Sequence, residues 1–385
     1  MSEAWQQRLA DARAHRQQTD RWRTRQVAKS NTLNFAGNDY LGIAQDPRVS
    51  EAQAAGARRY GAGAGASHLV SGHLEIHDAL EEALARWTGR ERALLFSTGY
   101  MANLGVLQAL ADRHTAIFQD RLNHASLIDG AVLSGARSRR FHHRNAIDLA
   151  SLLALSDCAH KLVVSDGVFS MDGDIADIAT LVEVSQQHSA WLMIDDAHGV
   201  GVLGDNGSGC VGSTWNSADV PILVGTLGKA LGTAGAFVAG DTELIDHLIQ
   251  FSRSYIYTTA QPPAIAAATL KALEIVQSEP ELRAQLNANI AYFRRQATHL
   301  GLPLSASHTP IQPLILADEA RTLHWAARLH QHGVHVGAIR PPTVPKGEAR
   351  LRITLSARHS RHQIERLLGA LAACQREEAA CPANA

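Results

Sequence analysis

Short apolar runs alternate along the chain with segments in which apolar residues recur every three or four positions. Between residues 93 and 239 the runs are ALLFS, AIFQD, KLVVS, WLMID, ILVGT and AFVA. Continuous apolar runs of this length are typical of strands buried on both faces, and the periodic segments between them are typical of covering helices. The pattern therefore predicts an α/β fold with a mostly parallel, helix-covered sheet.

The two ends of the chain have different patterns. Sparse apolar positions between Trp5 and Arg25 predict a marginal surface helix. In NTLNFAGNDYLG, turn residues surround a short predicted strand. Residues 75–89, EIHDALEEALARWTG, have apolar residues at helical spacing and a glycine, Gly89, at the expected C-cap.

After about residue 280 a long helical segment, ELRAQLNANIAYFRRQATHL, precedes two apolar runs, IQPLILA and RLRITLS. This change of pattern predicts a smaller α+β domain, because a chain of 385 residues exceeds the size of one ordinary domain. We expect an N-terminal segment over 1–45, a large domain over 46–280 and a small C-terminal domain over 281–385.

Charge and cysteine content narrow the function classes. The chain has 37 acidic and 36 basic residues, so it has no excess positive charge for nucleic acid. No apolar run approaches the ~20 residues of a membrane span, and the charged N-terminus lacks a signal-peptide core, so we expect a cytoplasmic protein. The cysteines form no CxxC pair, which argues against disulfides and a metal site; they are Cys158, Cys210, Cys374 and Cys381.

Two glycine-rich motifs fit nucleotide sites poorly. GVGVLG, from Gly199 to Gly204, matches GxGxxG, but DAH separates it from the preceding strand and DNGSG follows where a helix should begin. GTLGKAL resembles a P-loop, yet Leu223 occupies its first glycine position and Ala230 follows the lysine. A nucleotide-dependent oxidoreductase remains an alternative at this point.

Three chemically active side chains follow predicted neighbouring strands. Asp195 and His198 come at and after the end of WLMID, and Lys229 follows ILVGT. Each alone is more often a turn residue or a solvated loop lysine, but ligands bind at the carboxyl ends of such strands. Ser97 to Gly99 precede a helix, a typical phosphate site. Together these residues predict pyridoxal phosphate (PLP), which needs a Schiff-base lysine, an aspartate for the ring nitrogen and a phosphate cradle.

The ordered motifs NDYLG, STGYMAN, NHASLIDG, GVFSMDGD, DDAHGVG, TLGKALGTAG, YIYTTAQPP and IRPPTVPKGEARLRIT resemble the α-oxoamine synthases, from about residue 34 to residue 356. These fold-type I PLP enzymes condense an amino acid with an acyl thioester and release carbon dioxide. The resemblance implies an acyltransferase that acts as a homodimer. It is greatest to members that use L-alanine and a pimeloyl thioester, carried on coenzyme A or a carrier protein; a glycine-using ligase of the same family is the alternative.

The resemblance also implies roles for residues of this sequence. Lys229 corresponds to the Schiff-base lysine, Asp195 to the partner of the ring nitrogen, and His198 to the partner of the ring hydroxyl. His124 corresponds to the histidine that stacks on the ring and assists the acyl carbonyl. Further expected cofactor contacts are Gly99, Tyr100, Ser170 and Thr226, with Thr258 and Thr259 reaching the phosphate from the second subunit.

The substrate contacts lie further apart in the sequence. Arg352, in RLRIT, is expected to take the alanine carboxylate, and Asn38 and Thr343 to line the substrate site. Arg21 is the candidate for the distal carboxylate of the pimeloyl chain, with Arg16, Arg23 and Arg25 as alternatives.

Overall fold

The computed structural model describes residues 2–19, 21–25, 27 and 32–380. The contacts divide the chain into two compact units. The larger unit comprises Asn38–Ser170 and Asp174–Leu286. The smaller unit comprises the described residues of Met1–Gly37, Met171–Gly173 and Asn287–Ala385. Cys381 lies outside the described residues.

Strands in the described residues form three sheets. The strands are β1 (Leu33–Asn34), β2 (Arg92–Phe96), β3 (Thr115–Asp120), β4 (Arg137–Phe141), β5 (His160–Asp166), β6 (Trp191–Asp195), β7 (Ile222–Thr226), β8 (Ala236–Gly240), β9 (Ile311–Ala317), β10 (Val334–His335), β11 (Gly337–Ile339) and β12 (Ala349–Thr354).

Helices cover or flank these strands. They are α1 (Glu3–Gln18), α2 (Pro47–Tyr60), α3 (Glu75–Thr88), α4 (Gly99–Leu110), α5 (Ala125–Ser134), α6 (Ala146–Ala154), α7 (Ile178–Gln187), α8 (Thr242–Phe251), α9 (Arg253–Ile256), α10 (Pro263–Ser278), α11 (Pro280–His299), α12 (Glu319–Gln331) and α13 (Arg361–Ala380). Among the described residues, no helix is both long and apolar enough to cross a membrane.

The main sheet of the larger unit has seven strands in the order β2-β8-β7-β6-β5-β3-β4. From β4 to β7 the neighbours pair in parallel, and β8 is antiparallel to both β7 and β2. All six apolar runs form strands of this sheet, so the prediction of a mostly parallel, helix-covered sheet is confirmed.

Strand β6 shows how both faces of the sheet are buried. Met193 packs into an apolar cluster on one face, and its neighbours Leu192 and Ile194 pack into a second cluster on the other face. Successive side chains of a strand point to opposite faces, so a continuous apolar run fills both clusters. The backbone at the strand ends is therefore held by packing on both sides of the sheet.

Strand β4 and the N-terminal helix are two of the elements that differ from the sequence-based expectation. The edge strand β4, RSRRF, was not predicted, because four of its five residues are exposed and only Phe141 is buried. The N-terminal helix extends over Glu3–Gln18 rather than from Trp5 to Arg25, and it buries no residue. In α3 the prediction is confirmed, since Gly89 caps the helix in the left-handed conformation at φ 66°.

The smaller unit contains a three-stranded antiparallel sheet in the order β11-β12-β9 and a parallel pair, β1-β10. The segment Met171–Gly173 belongs to it through side-chain hydrogen bonds. The buried Arg350 donates from Nη1 to Oδ1 of Asp172 at 2.5 Å, and Ser307 donates to the carbonyl of Gly173 at 2.8 Å.

Candidate active site

A cavity of about 180 Å³ lies in the larger unit at the carboxyl ends of β5, β6 and β7. The predicted residues that line it are Gly99, Tyr100, His124, Ser170, Asp195, His198, Thr226 and Lys229. The sheet brings them together because parallel strands end at one edge, and α4 and α5 begin at the same edge. The lining also includes residues that the sequence reasoning missed, among them Asn103, Ser126 and Asp166.

Asp195 is the last residue of β6, and its side chain is nearly buried. Its Oδ2 accepts a hydrogen bond from Nδ2 of Asn103 at 2.6 Å, and its Oδ1 accepts one from the backbone N–H of Ala197 at 3.1 Å. Both carboxylate oxygens are thus held by donors, which fixes the direction of the carboxylate. A fixed carboxylate at a cavity wall suits a cationic ring nitrogen.

Asp166 ends β5 and pairs in register with Asp195 on β6. Burial, together with the neighbouring Asp195 charge, raises the pKa of Asp166 well above its ordinary value. Its Oδ2 accepts the backbone N–H of His124 at 3.1 Å. Asp166 therefore favours its neutral form. Asp166 follows the apolar run KLVVS, just as Asp195 ends the run WLMID, so its position at a strand end could have identified it from the sequence.

Lys229 lies in the connection between β7 and β8. The base of this connection is closed by backbone hydrogen bonds from Leu227 to Gly235 and from Thr233 to Leu227, both 2.9 Å. Nζ of Lys229 lies 2.8 Å from Nε2 of His198. The lysine is thus placed against the imidazole that the sequence predicted as its neighbour.

A tyrosine extends this contact away from the cavity. Nδ1 of His198 lies 2.6 Å from the hydroxyl of Tyr40, which donates to Oδ1 of Asn38 at 3.2 Å. Asn38 was predicted from the sequence, whereas Tyr40 was not, although both belong to the NDYLG motif. The four side chains form one hydrogen-bonded chain inside the larger unit.

The start of α4 has the features of a phosphate site. Thr98 is the N-cap, and its hydroxyl accepts the backbone N–H of Met101 at 3.1 Å. The first N–H groups of a helix have no acceptor within the helix, and the helix dipole favours an anion there. Gly99 and Tyr100 occupy these positions and line the cavity, as does Thr226 from the end of β7.

His124 is the N-cap of α5. Burial lowers its pKa, so the neutral imidazole is favoured. Its Nδ1 accepts the backbone N–H of Ser126 at 3.3 Å and lies 2.7 Å from the Ser126 hydroxyl. An accepting Nδ1 leaves the ring proton on Nε2. A neutral ring of this kind can stack on a cofactor and donate one hydrogen bond from Nε2.

Other predicted contacts lie elsewhere in the fold. Thr258 and Thr259 do not line the cavity; Thr259 forms an isolated bridge with Ser67, and their role in a second subunit stays a prediction. In the smaller unit, Arg352 is buried on β12, the central strand of the three-stranded sheet.

A second cavity, of about 130 Å³, lies within the smaller unit. Its lining includes Arg21 and Thr343, together with Arg16 and Arg23, two of the alternatives to Arg21. Arg23 donates from Nη2 to Oγ1 of Thr343 at 3.3 Å. The third alternative, Arg25, does not line this cavity. Arginine side chains at one small cavity favour a carboxylate ligand.

A histidine cluster lies outside both cavities. His68, His73 and His77 bring one ring nitrogen each within 4.8 Å of the others. Both nitrogens of His77 are engaged, because Nδ1 accepts the backbone N–H of Leu74 and Nε2 donates to the carbonyl of Gln261. These bonds hold the start of α3, so we interpret the cluster as structural.

Comparison with known proteins identifies the family of this chain. The chain matches the family described as aminotransferase class I and II over residues 30–371. The chain belongs to this family. Among curated members, the 8-amino-7-oxononanoate synthase of Chromohalobacter salexigens is 65% identical over 98% of this chain and 99% of that protein.

Solved structures of family members share the fold. The 8-amino-7-oxononanoate synthase of Francisella tularensis has a TM-score of 0.79 and 31% identity, covering 91% of this chain and all of that one (100%). A serine palmitoyltransferase from S. paucimobilis, solved with PLP and myriocin bound, has a TM-score of 0.90 and 29% identity. The match covers 97% of this chain and 98% of that one. The predicted fold-type I fold and PLP cofactor are thereby confirmed, as is the recognised enzyme family.

Family membership excludes the nucleotide-dependent oxidoreductase. The structure agrees, since GVGVLG lies in turns and no helix begins between β6 and β7. The residues present fit PLP: a fixed carboxylate, a lysine beside an imidazole, and a helix start with free N–H groups all face one cavity. No metal ligand is needed for this set.

Proposed function

We propose that this chain condenses L-alanine with a pimeloyl thioester to give 8-amino-7-oxononanoate, carbon dioxide and the free thiol carrier. This is a step of biotin biosynthesis in the cytoplasm. The observation that carries the proposal is the single cavity that holds Lys229, Asp195 and His198, in a chain 65% identical to a curated 8-amino-7-oxononanoate synthase.

Each cavity residue has a role that follows from its chemistry. When bound, PLP supplies an electron sink that stabilises a carbanion at the α-carbon of the amino acid. Lys229 would hold the cofactor covalently, and Asp195 would keep a proton on the ring nitrogen. The start of α4 and Thr226 would bind the phosphate. Thr258 and Thr259 would complete the phosphate site from the second subunit of a homodimer.

Proton transfer would use the lysine amine. With alanine in the site, Nζ of Lys229 would be the base that takes the α-proton of alanine. His198, whose Nε2 lies 2.8 Å from Nζ, is close enough to exchange a proton with that nitrogen. His124 would donate from Nε2 to the carbonyl oxygen of the thioester as the new carbon–carbon bond forms.

The two carboxylates of the substrates need separate cations, because a buried carboxylate without a partner is strongly unfavourable. Arg352 would bind the carboxylate of alanine in a bidentate pair. Arg21 would bind the distal carboxylate of the pimeloyl chain, supported by its place in a cavity shared with Thr343. Asn38 would line the substrate site.

A direct assay tests the proposal. The purified protein is supplied with PLP, ¹³C-carboxyl L-alanine and pimeloyl-CoA, and mass spectrometry follows 8-amino-7-oxononanoate and ¹³CO₂. A parallel reaction uses a pimeloyl carrier protein, and another pairs glycine with acetyl-CoA. Product from alanine and either pimeloyl thioester supports the proposal. Product only from glycine and acetyl-CoA would show instead that the chain is the glycine-using ligase.

Cofactor attachment is tested separately. Borohydride reduction of the holoenzyme should remove its visible absorption band and leave the reduced cofactor on the peptide that contains Lys229. Attachment at any other residue would overturn the assignment of Lys229, whatever the substrate specificity.

A further inference from the structure

The connection between β3 and α5 is held to the end of β5 by the buried side chain of Asn123. Its Nδ2 donates to the carbonyl of Val164 at 2.9 Å, and its Oδ1 accepts the backbone N–H of Asp166 at 3.0 Å. In a parallel ladder, one residue bonds in this way to the two residues that flank its partner. The Asn123 amide therefore takes the place of a β3 residue beyond the last pair of that ladder, Gln119 with Val164.

A third hydrogen bond holds the next residue of the connection. His124 is the N-cap of α5, so its backbone N–H has no acceptor within that helix. Oδ2 of Asp166 accepts this N–H at 3.1 Å. Both residues that precede α5 are thus bonded to the end of β5. The side chain of His124 therefore starts from a fixed backbone at the wall of the cavity.

The surroundings of the Asp166 carboxyl group favour its neutral form. The residue is 4% exposed, and its second oxygen, Oδ1, is buried without a hydrogen-bond partner among the described residues. The carboxyl group of Asp195 is in register with it on β6, and a buried charge with a like charge beside it is unfavourable. Burial, Asp195 and Asp120 raise the pKa of Asp166, and they outweigh the His124 N–H and the Lys229 charge, which lower it.

We propose that Asp166 and Asn123 are positioning residues for the reaction: Asp166, as a neutral acid, and Asn123 hold the backbone of His124 so that its ring is presented to the cavity. The inference rests on the proposed function, in which His124 stacks on the cofactor and donates to the thioester carbonyl. A neutral acceptor is sufficient for the bond to the His124 N–H. An amide should therefore replace the Asp166 carboxyl group without loss.

Two substitutions at Asp166 separate the hydrogen bond from the charge. Asp166→Asn keeps an acceptor for the His124 N–H and is always neutral, so kcat with alanine and pimeloyl-CoA should stay within about 2-fold of wild type. Asp166→Ala removes the acceptor and should lower kcat about 10-fold, the equivalent of one lost hydrogen bond, with the alanine KM nearly unchanged. A loss in Asp166→Asn as large as that in Asp166→Ala would show that Asp166 acts through a negative charge, and would overturn the proposal.

Amide hydrogen exchange of the full-length holoenzyme measures the His124 backbone without turnover. Mass spectrometry follows the peptide that contains Asn123 and the start of α5. Its exchange should be about 10-fold faster than wild type in Asp166→Ala and in Asn123→Ala, and unchanged in Asp166→Asn. Asn123→Ala leaves the carboxyl group in place, so it decides the question if Asp166→Ala does not fold. Wild-type exchange in the alanine variants would overturn the proposal.

Asp241→Ala is the matched control. Asp241 also follows a strand, is the N-cap of α8 and accepts the backbone N–H of Leu244 at 2.8 Å, but it does not line the cavity. Its replacement should speed exchange at the start of α8 and leave kcat unchanged. An equal loss of kcat in Asp241→Ala and Asp166→Ala would mean that any weakened helix start lowers activity, which contradicts a positioning role. The exchange results do not depend on the substrate, so they remain valid if another thioester proves to be the substrate.

Discussion

Asn103 donates a 2.6 Å hydrogen bond from Nδ2 to Oδ2 of Asp195, and both side chains are buried. The same amide group donates to Oγ of Ser126 at 2.8 Å. Ser126 in turn contacts Nδ1 of His124. One amide on α4 thus sets the direction of the carboxylate predicted to face the ring nitrogen and of the serine beside His124, the histidine predicted to stack on the ring.

Replacing Asn103 with alanine should lower kcat by 10- to 100-fold, since hydrogen bonds to charged groups contribute about 1.5–3 kcal/mol. Retention of PLP should weaken as well, measured by equilibrium dialysis. The exposed Asn287 on α11 provides an alanine control with no expected effect. Wild-type kcat and wild-type PLP affinity in Asn103→Ala would show that Asp195 does not depend on this amide.

Asp195→Asn should slow the exchange of the α-hydrogen of alanine with deuterated solvent by about 100-fold or more, because preorganised charge at the reacting centre is lost. Alanine binding should change much less. Asp196→Asn is the neighbouring comparison: Asp196 does not line the cavity, it accepts hydrogen bonds from the backbone and thiol of Cys210, and burial raises its pKa to about 7. If Asp196→Asn, and not Asp195→Asn, slowed exchange, the two roles would be reversed.

Arg352→Ala should raise the alanine KM by about two to nearly four orders of magnitude, because the loss of one partner of a buried ion pair costs about 3–5 kcal/mol. The KM for pimeloyl-CoA should stay within a few-fold of wild type. Steady-state kinetics with both substrates varied measures this, and Arg376→Ala, exposed on α13, is the control. A rise in KM confined to pimeloyl-CoA would mean that Arg352 binds the distal carboxylate of the pimeloyl chain and not the carboxylate of alanine.

Arg21→Ala should raise the KM for pimeloyl-CoA and have little effect on heptanoyl-CoA, which lacks the distal carboxylate. The neighbouring Arg25→Ala should affect neither, since Arg25 does not line the small cavity that contains Arg21. An equal rise in KM for pimeloyl-CoA and heptanoyl-CoA would mean that Arg21 does not contact the distal carboxylate. Arg16→Ala and Arg23→Ala would then be the next variants to compare.

His143 makes stability depend on pH. Burial lowers its pKa, but hydrogen bonds to Asp120 at 3.0 Å and Asp174 at 2.8 Å outweigh burial and raise the pKa to about 9. A raised histidine pKa stabilises the fold fully below the unfolded value of about 6.5, and this contribution is lost as pH rises through about 9. His143→Gln should therefore cost about 3 kcal/mol at pH 6 and much less at pH 10.

Urea unfolding at the two pH values measures this difference. His142→Gln is the control, because the side chain of His142 is 64% exposed in its pair with Asp148 and should contribute little at either pH. An equal loss of stability at pH 6 and pH 10 in His143→Gln would show that packing, and not the charged pair, accounts for the role of His143.

Sequence patterns predicted the parts of the fold that depend on residues close together in the chain. Buried strands were visible because both faces of the sheet are covered, and Asp195 and Lys229 were visible because they follow such strands. Strand β4 was missed because an exposed edge strand has no apolar run. The helical pattern near the N-terminus was extended too far, past Gln18, because charged residues continue beyond the helix.

The missed site residues depend on contacts distant in sequence. Asn103 is separated from Asp195 by 92 positions and lies inside a helix, where one polar residue carries no special signal. Tyr40 is separated from His198 by 158 positions, and as a buried aromatic it is indistinguishable in sequence from a core residue. Only the folded chain shows that these side chains have polar partners.

The apolar side chains of β6 lie in the strand interior, and its functional carboxylate lies at the strand end. A lineage can therefore repack Leu192 or Met193 without changing the chemistry, and can alter substrate preference by substitution around the cavity without rebuilding the sheet. A serine palmitoyltransferase has the same fold at 29% identity, as such a separation of scaffold and site allows. In such a protein the scaffold and the specificity can diverge independently.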